Sequence, residues 1–116
     1  MAITEYNKLV RDEIPQIIRD HWDCPVTRIA FGEEFFERLK DKLTEETKEY
    51  LESGAPEELA DILEVIHALA EQHNISMDKL EEIRLAKLAS RWAFKRKIIL
   101  EHTINAVKDS LQEDEK

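Results

Sequence analysis

From residue 33 onward the chain alternates apolar and polar positions with a helical period. Phe36, Leu39, Leu43, Glu46 and Tyr50 fall at alternating spacings of three and four, which predicts a helix over about 33–53 with one seam-facing stripe. The tetrapeptide "SGAP" supplies Gly54 just past that helix and Pro56 in the first turn of the next. The second helix, about 56–72, is apolar at nine of the twelve positions from Leu59 to Ala70. So apolar a helix is buried on more than one side, and in a short chain this points to burial against another subunit. "HNIS" (73–76) reads as a turn with Ser76 as an N-cap, and a third long helix follows over about 77–91. Upstream, "NKLVRDEIP" is extended to about Asp12 and then enters a short helix with Pro15 in its first turn. "PVTRIAF" (25–31) is β-branched and ends at Gly32, so it is either a lone strand or an extended arm. The C-terminal segment predicts a further helix through Ile104, Val107 and Leu111 that frays into a disordered "QEDEK".

Composition narrows the class. The chain has 116 residues, 37% of them charged, with two glycines and three prolines. That composition favours an all-α protein over a sandwich or barrel. The expected architecture is a helical hairpin core that completes a four-helix-type bundle in a dimer, with a short extended N-terminal arm. One domain spans 1–116: the arm and short helix at 1–32, the catalytic helices at 33–100 and the tail at 101–116. Seventeen Lys and Arg against 26 Asp and Glu give a net charge of -9, which argues against a general nucleic-acid binder. Cys24 is the lone cysteine, and neither a secretory h-region nor an apolar run of membrane-spanning length is present. The expectation is a cytoplasmic protein without a membrane partner.

Four acids interrupt this pattern where the two central helices meet. Glu46 and Glu49 are three residues apart on the first helix, and Glu58 and Asp61 three apart on the second, so each pair shares a helix face. Glu46 occupies the apolar seam, and Glu58 aligns with Val65 and Leu69. At about 1.5 Å per residue, an antiparallel turn at Gly54 sets all four at similar heights. Converging carboxylates must be protonated or share a cation. An all-oxygen set suits Mg²⁺, with Mn²⁺ as the alternative, and Glu45 is placed as an outer ligand. The competing reading is a solvated hairpin surface laced by i,i+4 ion pairs.

The ExxE at 46–49 and the ExxD at 58–61, together with "NKLVRDEIP" at 7–15, "PVTRI" at 25–29 and "EELADILEVIHALA" at 57–70, carry a resemblance. The chain resembles the all-α nucleoside triphosphate pyrophosphohydrolases, the MazG-like and phosphoribosyl-ATP pyrophosphohydrolase-like proteins, and most closely a small branch that opens with an NKLVRDxIP motif. The likeness covers about residues 6–100. It implies a dimer or higher homo-oligomer that cleaves a nucleotide between its α- and β-phosphates with Mg²⁺ held by Glu46, Glu49, Glu58 and Asp61. It also implies phosphate-side roles for Lys8 and Arg11, with Asn7 and Asp12 beside them, and for Lys87 and Arg91. Metal between acids and phosphates would explain how a protein of charge -9 binds an anion.

One departure stands out. The branch's glycine-containing "RG-G-F" segment is here Arg91-Trp92-Ala93-Phe94. Trp92 either closes on the nucleotide pocket or packs in a dimer core. His21 and Cys24 show no ligand spacing, His67 is read first as a satisfied interface histidine rather than a catalytic one, and "FKRK" (94–97) is read first as charge balance. The alternative function is a non-catalytic nucleotide-sensing or interaction module that retains the bundle.

Overall fold

A computed structural model describes residues 2–105. They form four helices, α1 (Ile14–Asp20), α2 (Glu33–Ser53), α3 (Glu57–Gln72) and α4 (Met77–Arg91), and no strand among the described residues. The protein is all-helical, as the period of its apolar positions requires. "PVTRIAF" is therefore irregular chain, and Arg28 ties it to α2 by a two-pronged contact with Glu34, at 2.9 and 2.6 Å. Helix ends at Arg91, and residues 92–105 are turns and irregular chain. The tail helix expected from residue 101 is absent as far as residue 105, while Val107 and Leu111 lie outside the described residues, as does the "QEDEK" terminus. Among the described residues, no helix is long and apolar enough to cross a membrane.

The chain divides into two compact units, Met1–Glu82 and Ile83–Lys116. In the first, α2 and α3 pack on each other and are the one helix pair in contact among the described residues. Their connection is three residues long. Gly54 takes φ 67°, and its N–H donates to the Tyr50 carbonyl at 2.7 Å. The left-handed backbone ends α2 in a single step and sends the chain back. Phe36, near the start of α2, meets the His73 ring edge-on at 5.9 Å just past the end of α3, so the two helices run antiparallel. Leu39, Val65 and Ala70 are the buried apolar residues of the seam. Burial of a Leu or Val side chain contributes about 1.5–3 kcal/mol, so this seam is a small core.

Local rules set the remaining helix ends. The Lys79 N–H donates to Ser76 Oγ at 3.0 Å, the expected N-cap of α4. α3 ends with Asn74 at φ 58°; the Asn74 N–H reaches the Glu71 carbonyl and the Ile75 N–H the Ala70 carbonyl. α1 closes with the same pair of bonds, from Trp22 to Arg19 and from Asp23 to Ile18, with Trp22 at φ 70°. Both are Schellman closures, in which glycine is the usual left-handed residue. In the second unit, Trp92 follows α4 at φ 69° with its N–H on the Leu88 carbonyl at 2.7 Å.

A Cβ at Gly54 meets no atom within 4 Å, so replacement there acts through backbone strain alone. Gly54→Ala is expected to lower stability by about 1 kcal/mol. It should shift the urea midpoint at fixed protein concentration with the slope unchanged. An unshifted midpoint would mean that the hairpin tolerates another turn.

Candidate metal centre

The hairpin brings the four sequence-predicted acids together. Carboxylate oxygens of Glu46, Glu58 and Asp61 lie within 4.8 Å of one another, and so do those of Glu45, Glu46 and Glu49. Glu46 belongs to both groups and joins them. It is 7% exposed, the one charged residue buried among those described, because it holds a seam position on α2. Glu58 and Asp61 come from the first turns of α3, directly after the short connection, and both are half-buried. Seam spacing on α2 and a three-residue turn are thus the local causes of the convergence.

Like charges at this spacing disfavour ionisation. Burial pushes the Glu46 carboxyl above its ordinary value, and repulsion from Glu49 adds to the shift. Glu58 is raised in the same way, by loss of solvent and then by Glu49 and Asp61. Its Oε2 is buried with no hydrogen-bond donor in reach. An acceptor without a donor calls for a proton or a cation. Glu45 moves the opposite way: the hydrogen bond from Lys8 is the largest cause that holds its carboxyl below the usual range.

Cations from two directions meet the acids. Lys8 Nζ contacts Glu45 Oε2 at 2.7 Å, and an Arg11 guanidinium nitrogen contacts Asp61 Oδ1 at 2.8 Å, so the N-terminal arm lies on the cluster. Asn7 is fixed by Arg38, which donates to its carbonyl at 2.7 Å and to its Oδ1 at 3.3 Å. From within α2, Lys42 stands 3.3 Å from Glu45 and 3.4 Å from Glu46. Asp12 is exposed. Lys87 and Arg91 belong to the second unit, where both are exposed on α4.

No family model, curated protein or solved structure matches the chain. The likeness to the all-α pyrophosphohydrolases therefore stands on the motifs at 7–15, 46–49 and 57–70 themselves.

Two further cations take part. Lys42 precedes Glu45 and Glu46 by three and four residues, a spacing that signals an ion pair on a helix. Arg38 pairs at the same kind of spacing with Glu34, at 3.4 Å, but its contact with Asn7, 31 positions away, carries no local signal.

The acids that can hold an ion are all-oxygen donors, suited to a hard divalent cation. Five carboxylates (Glu45, Glu46, Glu49, Glu58 and Asp61) face three cations (Lys8, Arg11 and Lys42), leaving two negative charges uncompensated.

The raised carboxyls set a pH dependence whose sign can be worked out. A carboxyl with a folded pKa above its unfolded value favours the folded state while protonated, below about the ordinary 4.5. The advantage is lost as pH rises through the folded value. In EDTA at pH 7.5, Glu58→Gln is expected to melt above wild type, and the difference should close below pH 4.5. Excess Mn²⁺ should reverse the order by stabilising wild type more. A variant that melts lower in EDTA at pH 7.5 would show that Glu58 is not strained by its neighbours.

Proposed function

We propose that the chain is a divalent-cation-dependent nucleotide pyrophosphohydrolase, which cleaves a nucleoside triphosphate or a phosphoribosyl-ATP-like nucleotide between the α- and β-phosphates. The observation that carries this reading is the meeting of Glu46, Glu58 and Asp61 within 4.8 Å, with an orphaned buried oxygen on Glu58. The residues fit Mg²⁺ or Mn²⁺ by donor type. Bound there, such an ion would supply Lewis acidity and positive charge toward the phosphates.

The chain's own groups divide the remaining tasks. Glu46, Glu49, Glu58 and Asp61 would hold the ion. A carboxylate of the cluster with an oxygen left free by the ion would take the proton of the attacking water. Lys8 and Arg11 stand beside the acids, where they orient phosphate oxygens, with Asn7 and Asp12 at the same end of the arm. Lys87 and Arg91 serve the phosphates as well in this reading. Water adds across the anhydride; one side leaves as the monophosphate and the other as pyrophosphate. Clearing non-canonical nucleotides is the role that suits such chemistry.

A second reading, a nucleotide-sensing or interaction module without turnover, is favoured by one observation: Lys8, Arg11 and Lys42 already pair with the acids. A panel of nucleotides with Mg²⁺, scored for pyrophosphate release, separates the two. Turnover by wild type should fall at least about a hundredfold in Asp61→Ala, which removes a ligand carboxylate. Mn²⁺ binding should weaken in parallel. Release of orthophosphate instead, or equal turnover by the variant, would exclude the pyrophosphohydrolase.

The same reading includes a homodimer or higher homo-oligomer. What supports it is the apolar surface of the first unit. Leu59 and Leu63 on α3 are 46% and 54% exposed, and Leu43, Thr47 and Leu51 line an open groove along α2. A hairpin with three buried apolar residues gains little from its own seam. A second copy of the hairpin would cover these faces and complete a four-helix bundle. Light scattering at low micromolar concentration should give at least twice the 13.6 kDa chain mass. A folded monomer under those conditions would refute the assembly.

A further inference from the structure

The N-terminal arm touches the hairpin at three points. Arg38 holds Asn7, Lys8 pairs with Glu45, and Arg11 pairs with Asp61. These contacts span 31, 37 and 50 positions of sequence and reach both α2 and α3. Asn7 itself sits at φ 47°, a left-handed conformation that turns the chain before Lys8. A cleft of ≈150 Å³ remains between arm and α2, with Lys8 on one wall and Arg38, Lys42 and Glu45 on the other.

We propose that this arm is a tethered counter-cation for the acid cluster, seated on it while no divalent ion is bound and released when one binds. The proposal rests on the metal reading given above and adds a mechanism of exchange. Asp61 is the shared element. Its carboxylate is one of the three oxygen donors that converge with Glu46 and Glu58, and it is also the partner of Arg11. A divalent ion at that point repels the guanidinium and draws the charge that holds it. Lys8 is placed in the same way toward Glu45, which belongs to the second group of converging acids. Both ion pairs are solvent-exposed, and exposed pairs are individually weak. They can hold an arm without resisting a divalent competitor. The Asn7–Arg38 contact involves no acid of the cluster and keeps one end of the arm in place. Release then frees two cations at the mouth of the site for an anionic ligand and opens the cleft beside them.

Exchange of this kind gives Arg11 opposite effects on the two ligands: it opposes the metal and assists the phosphate. Mn²⁺ titrations followed by loss of the free-ion EPR signal test the first half. Arg11→Gln is expected to bind Mn²⁺ about 1.5- to fivefold tighter than wild type, the range set by loss of one exposed ion pair. Arg19→Gln removes the same charge from α1, where the side chain contacts Gln16 rather than the acids, and should bind as wild type does. Hydrogen exchange read in the same samples should show the amides of residues 8–13 exchanging faster in saturating Mn²⁺ than in EDTA. Equal Mn²⁺ affinity of wild type and Arg11→Gln, with unchanged exchange, overturns the clamp and leaves the metal site standing. Tighter binding without faster exchange, or the reverse, also overturns it, because linkage ties release to affinity. No Mn²⁺ binding by either protein overturns the metal reading, and the clamp with it.

Discussion

Repulsion among carboxylates at the α2–α3 seam is the constraint around which the first unit is arranged. Glu46 takes a position that the helical period assigns to an apolar side chain, and it faces Glu58 and Asp61 across the hairpin. A seam closed by Leu39, Val65 and Ala70 has little stability with which to absorb that repulsion. The compensation is distributed. Lys42 approaches from within α2, and Lys8 and Arg11 approach from the arm. The arm meets the hairpin through Asn7, Lys8 and Arg11. The Glu58 oxygen that finds no donor remains beside them.

A second theme is the use of left-handed backbone without glycine. Gly54 follows the ordinary rule at the α2–α3 turn, but Trp22, Asn74 and Trp92 hold the same conformation at the ends of α1, α3 and α4. For a bulky residue that conformation costs roughly 1–2 kcal/mol. Trp22 is 95% and Trp92 79% exposed, so packing within the chain does not offset the strain. At Trp92 this bears on the likeness to the pyrophosphohydrolases, whose corresponding segment carries glycine. The backbone at Trp92 has a glycine-like φ of 69°. A large aromatic held in solvent at a strained position is suited to contact something outside its own chain.

The helices and the acid pairs were legible in the sequence because they obey short-range rules. A stripe at spacings of three and four, a glycine past the last turn, and a serine before the next helix each act over a few residues. The observed bounds Glu33–Ser53 and Met77–Arg91 follow from them. The same locality places Glu46 with Glu49 and Glu58 with Asp61, and a three-residue turn then leaves little choice but to bring the pairs together. Only the tertiary structure decided which cations of the arm answer those acids. Lys8 and Arg11 are two of 17 basic residues, and neither side-chain type nor local spacing directs one to Glu45 and the other to Asp61. The contact of Arg38 with Asn7 was invisible for the same reason, since it depends on the route of an arm that has no periodic pattern of its own. Periodicity carries an address along one helix. A point charge carries none, and its partner is set by where the folded chain brings it.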